Sequence, residues 1–201
     1  MKKYFIFIFI AASFAAYGQG VKQKPNTVPA SVITDDTTYW NITTVSTVGY
    51  VNTNSGPYYN NYKSGGGMIV KFKFKPGNRY EFMLYVQANT YGIENETWTQ
   101  VEGDVEFTKD AKGQNIFITK AKKGTYRIIK NGVTTTRAIS EDELKGQHSS
   151  SYLWERFDFP DDPNNTYLLL VDLKKNPKAD VNVAGSIDPS SISKFHIPVK
   201  K

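Results

Sequence analysis

The chain has 201 residues, 25 Lys and Arg against 19 Asp and Glu, a formal net charge of +6, and no cysteine. The length allows one domain with a sizeable core. The missing cysteines exclude a disulfide framework, a thiolate metal site, a cysteine nucleophile and a lipid-modified cysteine. The mild positive charge, part of it on Lys2 and Lys3, lacks the concentrated basic face that nucleic acid requires.

Lys2 and Lys3 precede the apolar run Tyr4 to Ala12 and the small residues that end at Ala16-Tyr17-Gly18. This is the layout of a signal peptide cleaved after Gly18, and the run is too short for a transmembrane helix. The expected address is therefore the periplasm or the medium, without a lipid anchor and with no transmembrane segment after cleavage. Residues 19–38 are polar, contain Pro, Thr and Asp, and show no apolar period, so they are expected to form a flexible leader. Residues 39–201 are expected to be a single domain.

Ile42 to Val51 is rich in Thr and Val and reads as a strand. Asn52 to Gly67, crowded with Asn, Ser, Gly and Tyr, reads as a long loop, and Tyr58, Tyr59 and Tyr62 make it a candidate lid. Three alternating runs follow. Val70, Phe72 and Phe74 alternate with Lys71, Lys73 and Lys75; Tyr80, Phe82, Leu84 and Val86 with Glu81, Met83 and Tyr85; Val101, Gly103, Val105 and Phe107 with Glu102, Asp104 and Glu106. A period of two describes strands with one buried and one wet face, the pattern of an antiparallel sheet. Lys75-Pro76-Gly77-Asn78 reads as a hairpin turn and Ala88 to Asn95 as a second connection.

Further on, Asn115 to Thr119 and Thr125 to Lys130 read as two strands turning at Lys122-Lys123-Gly124, and Asn131-Gly132 is a two-residue hairpin signal. Ser140 and Glu143 match a capping box and predict one short helical turn. Tyr152 to Phe159, Thr166 to Leu173 and Ser193 to Val199 complete a set of about eight to ten strands, with a turn-rich tail after Lys174. The expected fold class is all-β, a small antiparallel barrel or sandwich.

Several pieces resemble an uncharacterised family of secreted, lipocalin-like small β-barrel proteins: Gly65-Gly66-Gly67, Phe74 to Glu81, Tyr91-Gly92, Glu102-Gly103, Lys123-Gly124-Thr125 and Tyr152 to Phe157. Ile93 stands where that family often has a cysteine, and Thr38-Tyr39-Trp40 replaces the Gly-x-Trp of lipocalins. The resemblance implies an antiparallel up-and-down barrel of calycin type and offers no catalytic residue to carry over; no cofactor is expected. It also offers a closure pair, Trp40 on the first strand and Arg156 on a late one. If Tyr152, Trp154 and Arg156 face inward, Arg156 stacks on Trp40; if they face outward, they are surface groups.

The candidate sites follow from chemistry. His148 and His196 are too few for a zinc site, and no Gly-x-Ser-x-Gly elbow is present. Asp158, Asp161, Asp162, Asn164 and Asn165 suit a turn better than a calcium loop. The basic residues between Lys109 and Arg137 follow an acidic stretch from Glu94 to Glu106, so the two blocks are expected to pair across a hairpin. The leading expectation is a non-catalytic exported protein that holds a small apolar ligand. Trp40, Phe72, Phe74, Tyr80, Phe82, Leu84, Trp154 and Arg156 are its candidate wall, with Tyr58, Tyr59 and Tyr62 as lid. The alternative is a solid barrel of the cell envelope that binds a protein or glycan through loop tyrosines and basic residues.

Overall fold

The computed structural model describes residues 25–52, 61–90 and 93–199. The expected signal peptide, together with Tyr58 and Tyr59, lies outside these residues. The alternating runs form β2 (Asn61–Lys75), β3 (Arg79–Thr90) and β4 (Ile93–Lys109), preceded by β1 (Trp40–Asn52) and followed by β5 (Asn115–Lys130). Then come β6 (Val133–Ala138), helix α1 (Glu141–Gln147), β7 (Ser151–Phe157), β8 (Asn165–Asp172) and β9 (Ser193–Pro198). All strand pairings are antiparallel, and β1 meets β9 through Asn41 and His196 to close the ring.

Nine strands make an eight-stranded barrel because β6 and β7 occupy one position in it. β6 pairs with Thr125–Lys130 of β5 and β7 with Ile116–Ile118 of the same edge. The chain therefore descends as β6, turns aside into α1 and resumes the descent as β7. The Ser140 hydroxyl and the Glu143 carboxylate build the expected capping box, and Leu144 drops into the barrel core.

Three expectations are corrected. The long loop Asn52 to Gly67 is strand from Asn61 onward, so Tyr62 lies in β2 opposite Val51. A Cβ at Gly66 would sit 2.6 Å from the Gln87 carbonyl oxygen, so this glycine serves close strand approach rather than a turn. Likewise Lys122-Lys123-Gly124 is not a turn: β5 runs through it with a register shift opposite Glu102 and Gly103.

The third correction concerns residues 25–38, which pack under the barrel instead of forming a flexible leader. Val28 and Val32 are buried in the core, Ile33 bridges to Phe74, and the Trp40 indole N–H donates to the Val32 carbonyl at 2.8 Å. Asn78 Oδ1 accepts from the Thr27 N–H at 2.7 Å, and Asn78 Nδ2 donates to the Pro25 carbonyl at 2.8 Å. Two apolar side chains and a set of satisfied backbone groups are enough to hold a segment whose composition reads as disordered.

Above this floor the barrel is filled. Phe72 lies in ring contact with Phe74, Tyr80, Phe82, Phe117, Tyr152 and Phe195 at centroid distances of 5.0–6.4 Å. A smaller cluster of Ile116, Leu153, Val171 and Ala179 lies on the other face of β5, β7 and β8, against Leu173, Ile187 and Ile192. The acidic and basic blocks pair across β4 and β5, Glu102 with Lys123 at 3.1 Å and Asp104 with Lys122 at 3.2 Å. Among the described residues no helix is long and apolar enough to cross a membrane.

Candidate functional site at the barrel mouth

β1 to β5 have 12 to 17 residues each, whereas β7, β8 and β9 have 6 to 8. The barrel is therefore tall on one side and short on the other, and the tall wall continues past the packed core. Register places Ile42, Val70, Leu84, Thr99 and Tyr126 in one row of its inner face, and Met68, Val86, Thr97 and Ile128 in the next. In this second row Met68 and Val86 are 37% exposed and Ile128 40%. An inward-facing apolar row that no part of the described chain covers is unusual for a sheet whose lower half is a dry core.

At the foot of that wall lies a cavity of about 490 Å³. Phe72, Phe82, Leu170 and Phe195 give it an apolar base, and Asp172, Lys175, Asn176 and Ser190 a polar rim. The rim is braced by its own bonds: Asn176 donates through N and Nδ2 to the Asp172 carbonyl, and Ser150 Oγ donates to Asp172 Oδ1 at 2.6 Å. Tyr152 also lines the cavity, and burial, with the Asp172 charge adding to it, pushes its phenol up to about 12. Tyr152 is thus a neutral group at any ordinary pH.

The wall residues expected from the sequence separate into distinct places. Phe72 and Phe82 line the cavity, and Leu84 stands half-buried on the wall above it. Trp40, Phe74 and Tyr80 belong to the packed core below. Tyr152 and Trp154 pack against the core, so their face of β7 does point inward, yet Arg156 near the strand's end is exposed. The stack of Arg156 on Trp40 does not form. Trp40 is fully buried under residues 25–38, and the cations found over rings among the described residues are Lys71, Lys73, Arg137 and Lys194. Asp162 spends its carboxylate on Asn165 and on the Tyr167 hydroxyl, as a turn requires.

Sequence reading missed the rim, because Asp172 to Asn176 and Ser190 to Ser193 look like ordinary turn residues until β8 and β9 bring them to the cavity. It also missed His148. The Tyr126 hydroxyl and His148 Nε2 stand 2.8 Å apart, and the Tyr80 hydroxyl donates to the His148 carbonyl at 3.4 Å. These contacts tie the end of α1 to the inner face of β3 and β5.

Burial lowers the His148 pKa, against a smaller upward pull from Glu143. Folded His148 thus binds its proton less readily than the unfolded chain does, near the ordinary value of about 6.5. Its contribution is complete above that value and is lost as the pH falls from there through the lowered folded value. Glu143 does not titrate in this window, because Arg137 and the Ser140 cap hold its carboxyl at about 2. Urea unfolding is expected to show lower stability at pH 5 than at pH 7.5, and His148→Gln to reduce that difference. An unchanged pH dependence in the variant would assign it elsewhere.

The eight-stranded antiparallel barrel is compatible with a lipocalin-like barrel, and no family model, curated protein or solved structure matches the chain.

Proposed function

We propose that the chain is an exported, non-catalytic binding protein that holds a small, largely apolar ligand at the barrel mouth. The observation that carries this reading is the apolar row Met68, Val86 and Ile128, exposed on an inner face directly above the cavity based on Phe72 and Phe82. A ligand lying along this row removes apolar surface from water at roughly 25 cal/mol per Å², while its polar end meets the rim around Lys175 and Ser190. The lipocalin-like likeness of the sequence favours the same use of the barrel. The solid-core alternative draws support from the ring packing below the cavity, and the mouth lies above that packing.

The apolar dye N-phenylnaphthylamine tests the proposal. Its fluorescence is expected to rise and saturate with the protein, and its binding to raise the melting temperature. Met68→Glu, which places a charge in the row, is expected to weaken the dye about tenfold, or about 1.4 kcal/mol. Protein purified from its host should carry a mass excess in native mass spectrometry that organic extraction removes. A dye that ignores the protein, together with a bare native mass, rejects the carrier reading.

A further inference from the structure

The outer face of the same tall wall carries a second feature, independent of the mouth. Tyr85 on β3 and Trp98 on β4 are paired in register and point away from the core, with ring centroids 4.2 Å apart. Ile69 on β2 and Arg127 on β5 extend the row on either side. One step down the same face are Met83, Gln100 and Thr125, which open into a groove of about 590 Å³ that also holds Tyr39, Lys71 and Glu81. The groove reaches Glu102 and Lys123, where β5 shifts register against β4, and such bulges re-aim side chains beside binding sites.

We infer that this outer face, the Tyr85–Trp98 ring pair with the groove beneath it, is a binding site for a neutral glycan. The rings present a half-exposed aromatic platform, which takes the apolar C–H face of a sugar ring as it takes any flat apolar surface. Hydroxyl-rich ligands then need several donors and acceptors close to the platform. Among the described residues the side chains of Gln100, Thr125 and Arg127 have no hydrogen-bond partner, so an amide, a hydroxyl and a guanidinium stand ready beside the rings. Charge selects the neutral class. The groove is lined by Lys71 and Lys123 against Glu81 and Glu102, two charges of each sign, so it carries little net field to attract an anionic chain.

Affinity electrophoresis of the full chain through gels containing hydroxyethylcellulose, xylan, mannan or dextran tests the site. At least one polysaccharide is expected to retard the protein. Trp98→Ala and Gln100→Ala are each expected to weaken that retardation about tenfold, while Lys145→Ala on α1 leaves it unchanged. Circular dichroism checks folding; if Trp98→Ala unfolds, the exposed Gln100→Ala decides. Unretarded mobility in all four gels, or retardation that survives Gln100→Ala and any folded Trp98→Ala, overturns the inference. So does capture of a protein at this face by a chain that binds none of the four polysaccharides.

Discussion

Phe72→Ala is expected to lower the stability of the barrel by about 3–5 kcal/mol, the range for removing a large ring from a packed interior. Phe72 is 4% exposed and touches six other rings contributed by β2, β3, β5, β7 and β9. A strained collapse of so many rigid neighbours is unfavourable, so much of the void remains and its cost with it. Urea unfolding should show a lower midpoint with little change in slope. Because Phe72 also forms the base of the mouth cavity, its loss joins the void to the mouth, and an apolar dye is expected to restore part of the lost stability. Leu84→Ala, on the half-buried wall, is expected to cost only about 1 kcal/mol. A Phe72→Ala variant that loses less than Leu84→Ala would mean that the rings do not pack as a core.

The second large effect is expected at Asn78, in a turn that sequence reading treats as a mere connection. Its φ of 60° lies in the left-handed region, and its side chain is buried against residues 25–28. Asn78→Gly keeps the backbone freedom and removes the side-chain bonds, leaving the Thr27 N–H without its acceptor. The expected cost is about 1–3 kcal/mol, the range for orphaning buried polar groups. Asn78→Ala loses the same bonds and adds about 1 kcal/mol of left-handed strain. Hydrogen exchange gives the specific readout. The Thr27 amide and the Trp40 indole N–H, which bonds the Val32 carbonyl, should both exchange faster in either variant. Protection that stays unchanged at both groups would mean that the segment is held by Val28 and Val32 alone.

Both effects bear on function through the same division of the barrel. The lower half is a closed, filled body that sets stability, and the residues 25–38 seal it. The upper half is a one-sided wall whose inner face is apolar and whose short side ends in a polar rim. Variants that loosen the floor are therefore expected to change stability more than dye binding, and variants of Met68 or Val86 the reverse.

Strand identity was legible wherever one local period ruled. Val70, Phe72 and Phe74 face inward as their alternation demands, and so do Tyr80 and Phe82, because a strand cannot place successive side chains on one face. The Ser140–Glu143 box is legible for the same reason: its partners lie within one helical turn. An all-β fold of antiparallel strands follows from those runs and the short turns between them, while closure into a barrel rests on the β1–β9 and β4–β5 pairings. Contacts distant in sequence were decided only by the tertiary structure. Gly66 and Gly124 read as loop and turn residues, yet each sits in a strand where a neighbouring backbone leaves no space for a Cβ. Val28 and Val32 become core residues through contacts distant in sequence, among them the bonds from Asn78, about fifty positions away, to Thr27 and Pro25. Trp40 is buried by that segment and not by Arg156. The mouth itself depends on unequal strand lengths around a closed ring, which bring Met68, Phe82 and Ser190 to one opening from three separate stretches of chain. Local periodicity decides which face of a strand is apolar; only closure of the ring decides which part of that face is filled and which stands open.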